Sequence, residues 1–136
     1  MKKKLSVVIP AFNEEKYIPN LIKKINAINL STVNFSKEII FVDDGSTDNT
    51  QEVIKRYKTV RYFKQSNQGK GSAVQRGIKN AVGSTVLVQD ADLEYDPKDY
   101  LKMLKPFLIK RKIAVYGSRY MNKNIFSYKF KKKNKQ

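Results

Sequence analysis

Three short apolar runs in this chain each end on a polar, acid-bearing motif: LSVVI (5–9) runs into PAFNEE, EIIFV (38–42) into DDGSTD, and TVLVQ (85–89) into DADLEYD. Between the first two, apolar residues switch to a helical spacing at Ile18, Leu21, Ile22, Ile25 and Ile28. Short buried runs alternating with helical stretches are the signature of β-α-β units around a parallel sheet. In open sheets of that kind ligands bind outside the carboxyl ends of the strands, which is the edge where all three motifs would lie.

The rest of the chain extends the pattern. Asn13 is a plausible cap for the first helix, with Pro19 leaving its start open. A helix is expected from about Asn49 to Tyr57, opened by Ser46 and Thr47, and VRYF (60–63) reads as a third, less buried strand. After the loop QSNQGKGS, a helix carries Ala73, Val74, Gly77, Ile78 and Ala81. PKDYLKMLKPFLIK gives one more helix, with Pro97 at a first helical position and a break near Pro106, before IAVYGS (113–118) as a fifth strand. With 136 residues the expectation is one domain over 1–120 and a lysine-rich tail over 121–136. That tail shows neither period; its plain reading is a solvated, disordered end, and its sharper one is contact with anionic lipid.

Composition removes several chemistries. The chain has no cysteine, so disulfides and thiolate metal sites are excluded, and no histidine, so Ser-His and Cys-His nucleophiles and imidazole ligands are excluded as well. Carboxylates are left as the strong candidates for metal binding or base chemistry. No stretch approaches the roughly 20 apolar residues of a membrane span, and MKKK is not followed by the apolar region of a signal peptide. A net charge of +16 suits anionic partners without choosing among nucleotide, nucleic acid and membrane surface.

Against 28 basic residues stand only 12 acids, and seven of those lie in the second and third strand-end motifs. Carboxylates repel one another, and a cluster of them usually persists around a cation. Asp90 and Asp92, two apart in extended backbone, direct their side chains to one face, so one can reach a metal while the other holds another part of the ligand. Hard carboxylate ligands alone favour Mg²⁺ or Mn²⁺, completed by water and phosphate oxygens. An isolated D-x-D is weak evidence, being more often a solvated turn; its place at the end of an apolar strand strengthens it. DDGSTDNT could equally be an ordinary turn and helix cap, and its glycine is misplaced for a calcium loop. QGKGS is not a Walker A loop, because that pattern needs glycine where this chain has Lys64. Gly69 and Gly71 still permit close backbone approach to a ligand, and Lys70 puts positive charge beside the opening of a helix.

Taken in order, VIPAFNEE, VDDGSTDNT, NQGKGSAVQRG, DADLEYDP and YGSRY resemble the family 2 glycosyltransferases of Rossmann-like GT-A fold, and within them the branch that moves a hexose from a nucleotide sugar to a polyprenyl or dolichyl phosphate. The resemblance covers nearly everything from Leu5 to Tyr120. It implies that Pro10, Phe12 and Glu14 line the nucleotide pocket, that Val42 and Asp44 contact the base, and that Asp90 and Ala91 face the ribose or sugar. By the same resemblance Asp92 binds the metal that bridges the diphosphate, Glu94 completes the metal environment, and Arg119 meets donor or acceptor phosphate. Relatives continue well past the GSR motif, so the chain is expected to be shortened at its carboxyl end.

In glycosyl transfer the anomeric carbon is attacked while a nucleoside diphosphate departs, and a divalent ion stabilises the charge growing on that leaving group. A lipid monophosphate acceptor, with a second pKa of about 6, is already ionised at neutral pH and needs no general base; a hydroxyl acceptor would need one, and no residue here is assigned that role. The resemblance thus implies a nucleotide-sugar donor, a lipid-phosphate or glycan acceptor in cell-envelope glycan synthesis, and a cytoplasmic place, peripheral to the membrane face. Three other readings stand beside it: a catalytically impaired donor-binding fragment, a nucleotidyltransferase, which would open with a basic glycine-rich loop where this chain has PAFNEE, and a non-enzymatic anion or nucleic-acid binder. The last leaves the acid clusters unexplained, and no nucleic-acid partner is expected.

Overall fold

The computed structural model describes residues 2–92 and 94–109, so the expected strand at 113–118, Arg119 and the basic tail lie outside the described residues. The chain divides into two compact units after Pro97.

The first unit is built on four parallel strands, β1 (Lys3–Ala11), β2 (Phe35–Asp43), β3 (Val60–Lys64) and β4 (Thr85–Val88), in the spatial order β3-β2-β1-β4. Three helices connect them: α1 (Ile18–Ala27), α2 (Thr50–Ile54) and α3 (Lys70–Asn80). Residues 5 to 11 of β1 are buried without interruption, the mark of a central parallel strand covered on both faces. β3 is only half-buried, as its shorter apolar run implies. α1 buries Ile18, Leu21, Ile22 and Ile25, the positions its helical spacing marks. In the second unit, α4 (Tyr100–Leu104) gives way to a 3-10 turn at Lys105–Leu108 with Pro106 in its first turn, which is where the helix was expected to break.

The register decides which side chains share a face. Val8 lies opposite Ile40, and Pro10 opposite Val42, so Val8, Ile40 and Val42 turn to the same side and pack with Ala73 of α3. The approach of α3 depends on Gly77: a Cβ there would come within 2.2 Å of Val8 Cγ1.

Two helix starts differ from expectation. Asn13 does not cap α1, whose N-cap is Tyr17 without a side-chain bond. Ser46 and Thr47 do not cap α2, which is shorter than the sequence spacing suggests and has Asn49 at its N-cap. The side chains of Asn13, Ser46 and Thr47 are committed to holding two loops together, as the site geometry shows.

Gly77→Ala tests the packing of α3. The added methyl has no room beside the buried Val8, so stability is expected to fall by about 1–3 kcal/mol despite the better helix propensity of alanine. Urea unfolding measures this, and an unchanged or raised midpoint would mean that Val8 yields without strain.

Candidate functional site

Chain direction locates the site. From β1 the chain moves outward through β2 and β3, then returns across β1 to lay β4 on its other side. The strand order therefore reverses between β1 and β4, and in open α/β sheets ligands bind in the crevice outside the carboxyl ends of strands at such a reversal.

The crevice holds a cavity of about 230 Å³ lined by Pro10, Ala11, Phe12, Glu14, Asp44, Lys70, Ala73, Asp90, Ala91 and Asp92. Four sequence motifs thus meet in one place. β1 and the loop after it supply Pro10, Phe12 and Glu14; the end of β2 supplies Asp44; the first turn of α3 supplies Lys70 and Ala73; the loop after β4 supplies Asp90 to Asp92.

Two residues assigned to the site by sequence stand apart from it. The side chain of Val42 is fully buried in the core with Val8 and Ile40 and does not line the cavity, because the strand pleat turns it to the α3 face. Glu94 is exposed and outside the lining; its backbone N–H donates to Asp92 Oδ1 at 3.2 Å, which closes a tight turn after the D-x-D. Arg119 is outside the described residues.

Asp44 carries a structural load that its proximity to the cavity does not reveal. It is 5% exposed, and its carboxylate accepts from Gln65 Nε2, from the Gln68 backbone N–H and from the Gly69 backbone N–H, each at 2.9 Å. Burial works against its charge, but these three donors outweigh it and hold the carboxyl below the ordinary aspartate value of 3.8. They also fix Gly69 at φ +95°, a conformation that favours glycine, and so set where Lys70 begins α3.

The neighbouring loop is fastened in the same manner. Asn13, itself at φ +54°, accepts on Oδ1 from the Thr47 N–H at 2.8 Å and the Asp48 N–H at 3.3 Å, while its own N–H donates to Ser46 Oγ at 2.9 Å. Asp48 accepts from the Thr50 N–H at 2.9 Å and the Glu15 N–H at 3.4 Å, and Glu15 accepts from the Asn49 N–H at 3.2 Å. Sequence reasoning missed Asn13 as a tie between loops, and it missed Gln89. Gln89 is buried at the end of the β4 run and donates from Nε2 to the carbonyls of Asp90 at 3.0 Å and Tyr95 at 3.1 Å, shaping the loop that presents the D-x-D. An amide at the inward end of an apolar strand is the signal that could have found it.

The cavity charges are unevenly compensated. Lys70 Nζ pairs with Asp90 Oδ1 at 2.5 Å. Burial pushes the Glu14 carboxyl above its ordinary value of 4.5, and the charges of Asp92, Asp48 and Asp90 push it the same way. Negative charge is therefore in excess around Glu14 and Asp92. A donor set of carboxylate oxygens alone suits a hard divalent cation. Among the described residues no three acidic side chains converge into a ready-made cage, so a cation here would draw its remaining ligands from water and from a bound diphosphate.

Residues 6–135 match the profile of glycosyl transferase family 2, and the chain belongs to that family. It is 36% identical over 122 residues to the dolichol-phosphate mannosyltransferase of Pyrococcus furiosus, a match covering 87% of this chain and 34% of that protein. It is 33% identical over 144 residues to the UDP-N-acetylglucosamine--dolichyl-phosphate N-acetylglucosaminyltransferase of Methanococcus voltae, covering 91% of this chain and 55% of the relative. The chain thus spans roughly a third to a half of the length of these relatives. Among solved structures, S. aureus TarS in complex with UDP superposes with a TM-score of 0.62 at 28% identity, covering 78% of this chain and 32% of that one. Mannosyl-3-phosphoglycerate synthase from Rubrobacter xylanophilus gives a TM-score of 0.66 at 25% identity, covering 79% and 36%. The sheet and its flanking helices are the Rossmann-like GT-A fold of these enzymes.

The role of Asp44 predicts a pH-dependent stability. At neutral pH, Asp44→Ala should lower stability by about 2–3 kcal/mol, because three inward-facing donors lose their acceptor. The fold favours the ionised carboxylate, so its contribution is complete above the ordinary value of 3.8 and is lost as pH falls below that value through the lower folded one. Urea unfolding of both proteins at pH 7 and about pH 3 should show the gap narrowing in acid; a constant gap would refute the charge as its source.

Proposed function

We propose that this chain forms the donor side of a hexosyltransferase that uses a UDP- or GDP-sugar, requires Mg²⁺ or Mn²⁺, and passes the sugar to a polyprenyl-type phosphate. The observation that carries the reading is the convergence of Phe12, Glu14, Asp44, Lys70, Asp90 and Asp92 on one cavity at the carboxyl ends of β1 and β4. The lipid-phosphate acceptors named for the relatives support the acceptor class. A mannosyltransferase of the same fold from Pyrobaculum calidifontis, solved with GDP-Man and Mn²⁺, supports the donor class and the metal.

Each residue has a task in this reading. Phe12, 44% exposed at the cavity, offers an aromatic face to the nucleoside. Asp44 retains acceptor capacity beyond its three loop bonds and reaches the base through it. Asp90 and Ala91 face the ribose or sugar. Asp92 holds the cation, with Glu94 of the same loop as the second assigned ligand, and Lys70 meets the diphosphate. Arg119 is assigned to phosphate by its motif alone, and Val42 contributes through the backbone beside Asp44. When bound, the cation stabilises the charge on the departing nucleoside diphosphate. The acceptor phosphate, ionised at neutral pH, attacks without a general base, which agrees with a chain that has no histidine.

No helix among the described residues is long and apolar enough to cross a membrane. The basic segment 121–136 is proposed to place the protein peripherally on an anionic, cytoplasmic membrane face, where a lipid acceptor would be presented.

Calorimetric titration with UDP and with GDP, each with and without Mn²⁺, tests the reading. Binding of one nucleotide that depends on Mn²⁺ is expected. Asp92→Asn should weaken it by at least about tenfold, the smaller of the losses seen when even outer-shell partners of a metal are removed. Folded protein that binds neither nucleotide would overturn the donor site, and an Asp92→Asn variant with full Mn²⁺-dependent affinity would overturn the metal assignment.

A further inference from the structure

Lys70 is bound to the wrong partner for a residue whose task is to meet a diphosphate. Its ammonium sits 2.5 Å from Asp90 Oδ1, on the acidic side of the cavity. The side chain of Lys70 is 62% exposed and that of Asp90 is 26% exposed, so the lysine reaches across from α3 on a largely solvated stem. The carboxylates around Asp90 are short of positive charge, since Asp92, Asp48 and Asp90 all act on Glu14. Lys70 and Ala73, three residues apart on α3, both line the cavity. The opening N–H groups of that eleven-residue helix, which have no intrahelical acceptor, thus begin at the cavity wall.

We propose that Lys70 is an exchangeable counter-ion: in the absence of nucleotide it neutralises Asp90, and it transfers to the diphosphate when donor and divalent cation arrive together. Before nucleotide binds, the lysine on Asp90 and a cation at Asp92, two residues along the same loop, oppose each other as like charges. Once a diphosphate is bound, its negative charge would let Lys70 of α3 and a cation held by Asp92 act together instead of against each other. Asp90 is then released to face the ribose or sugar. The exchange needs a compact cation on a flexible stem, which lysine supplies. It gives the site a reason to favour metal and nucleotide as a pair over metal alone. The inference rests on the donor site proposed above.

The test compares the 136-residue chain with its Lys70→Met and Lys70→Arg variants, titrating Mn²⁺ without nucleotide by electron paramagnetic resonance of the free ion, and then UDP and GDP in the presence of Mn²⁺ by calorimetry. Lys70 is exposed, so thermal unfolding should confirm that all three proteins are folded. In the absence of nucleotide, Lys70→Met should bind Mn²⁺ about fivefold more tightly than the parent, the scale of losing one opposing charge at a partly exposed site, and the difference should shrink at high salt. Lys70→Arg, which keeps the charge, should stay close to the parent. With nucleotide, Lys70→Met should bind more weakly than the parent.

Nucleotide-free Mn²⁺ affinity that is unchanged, reduced or undetectable in Lys70→Met would overturn the proposal, as would equal tightening in Lys70→Arg, which would trace the effect to packing. Failure of every protein to bind nucleotide would sink the donor site instead. The nucleotide-free Mn²⁺ comparison would still decide whether Lys70 and the cation oppose each other.

Discussion

Two adjacent carboxylates are buried where β2 ends, and the loops around the cavity are arranged to tolerate them. Asp43 is fully buried and accepts from the Ser46 N–H and from Tyr62 Oη, each at 2.8 Å. Asp44, turned the other way by the pleat, gathers Gln65, Gln68 and Gly69. A buried charge without such donors would be costly enough to unfold a domain of this size. The donors come from three segments that would otherwise be independent: the turn after β2, strand β3 and the loop before α3. Satisfying the pair therefore fixes one wall of the crevice before any ligand is present.

The acids of the first unit divide by how far they are satisfied. Asp43, Asp44 and Asp48 are held by hydrogen bonds, and Glu38, in the first half of β2, is held likewise by Ser6, Arg61 and the Val82 N–H. Burial opposes the charge of Asp44, Asp48 and Glu38, yet all three stay below their ordinary values because their donors outweigh it. Glu14 goes the other way, its carboxyl raised by burial and by the acids beside it. Glu14 is thus set apart from these hydrogen-bonded acids by the sign of the imbalance. Glu14 lines the cavity, and an imbalance of that kind is expected where a ligand is to complete the arrangement.

Much of this was legible in the sequence because it is local. Strand positions follow from short apolar runs, and the placement of PAFNEE, DDGSTD and DADLEYD at strand ends follows from parallel topology. Part of what was not legible depends on contacts across more than 30 residues. Asn13 reads as a helix cap, since asparagine beside a helical period usually is one; only the approach of the β2–α2 loop gives its amide a better partner. Val42 lies two residues before Asp44, which lines the cavity, yet the pleat sends its side chain into the core. The length of α2 was overestimated because Asn49 to Tyr57 contains good helix formers, while the chain must turn after Ile54 to enter β3 on register.

The strong positive charge of the chain takes on a narrower meaning at the site. Among the described residues that line the cavity, Lys70 is the one cation, set against Glu14, Asp44, Asp90 and Asp92. The basic excess elsewhere raises the local concentration of anions around the protein through its summed field. Binding at short range depends on the opposite property, a cavity whose own charge is negative. A bare nucleoside diphosphate would be drawn to the protein and then repelled by these carboxylates. A diphosphate accompanied by a divalent cation would not be. Metal dependence would then follow from the electrostatics of the fold, through a basic surface that attracts the donor and an acidic crevice that admits it only with its counter-ion.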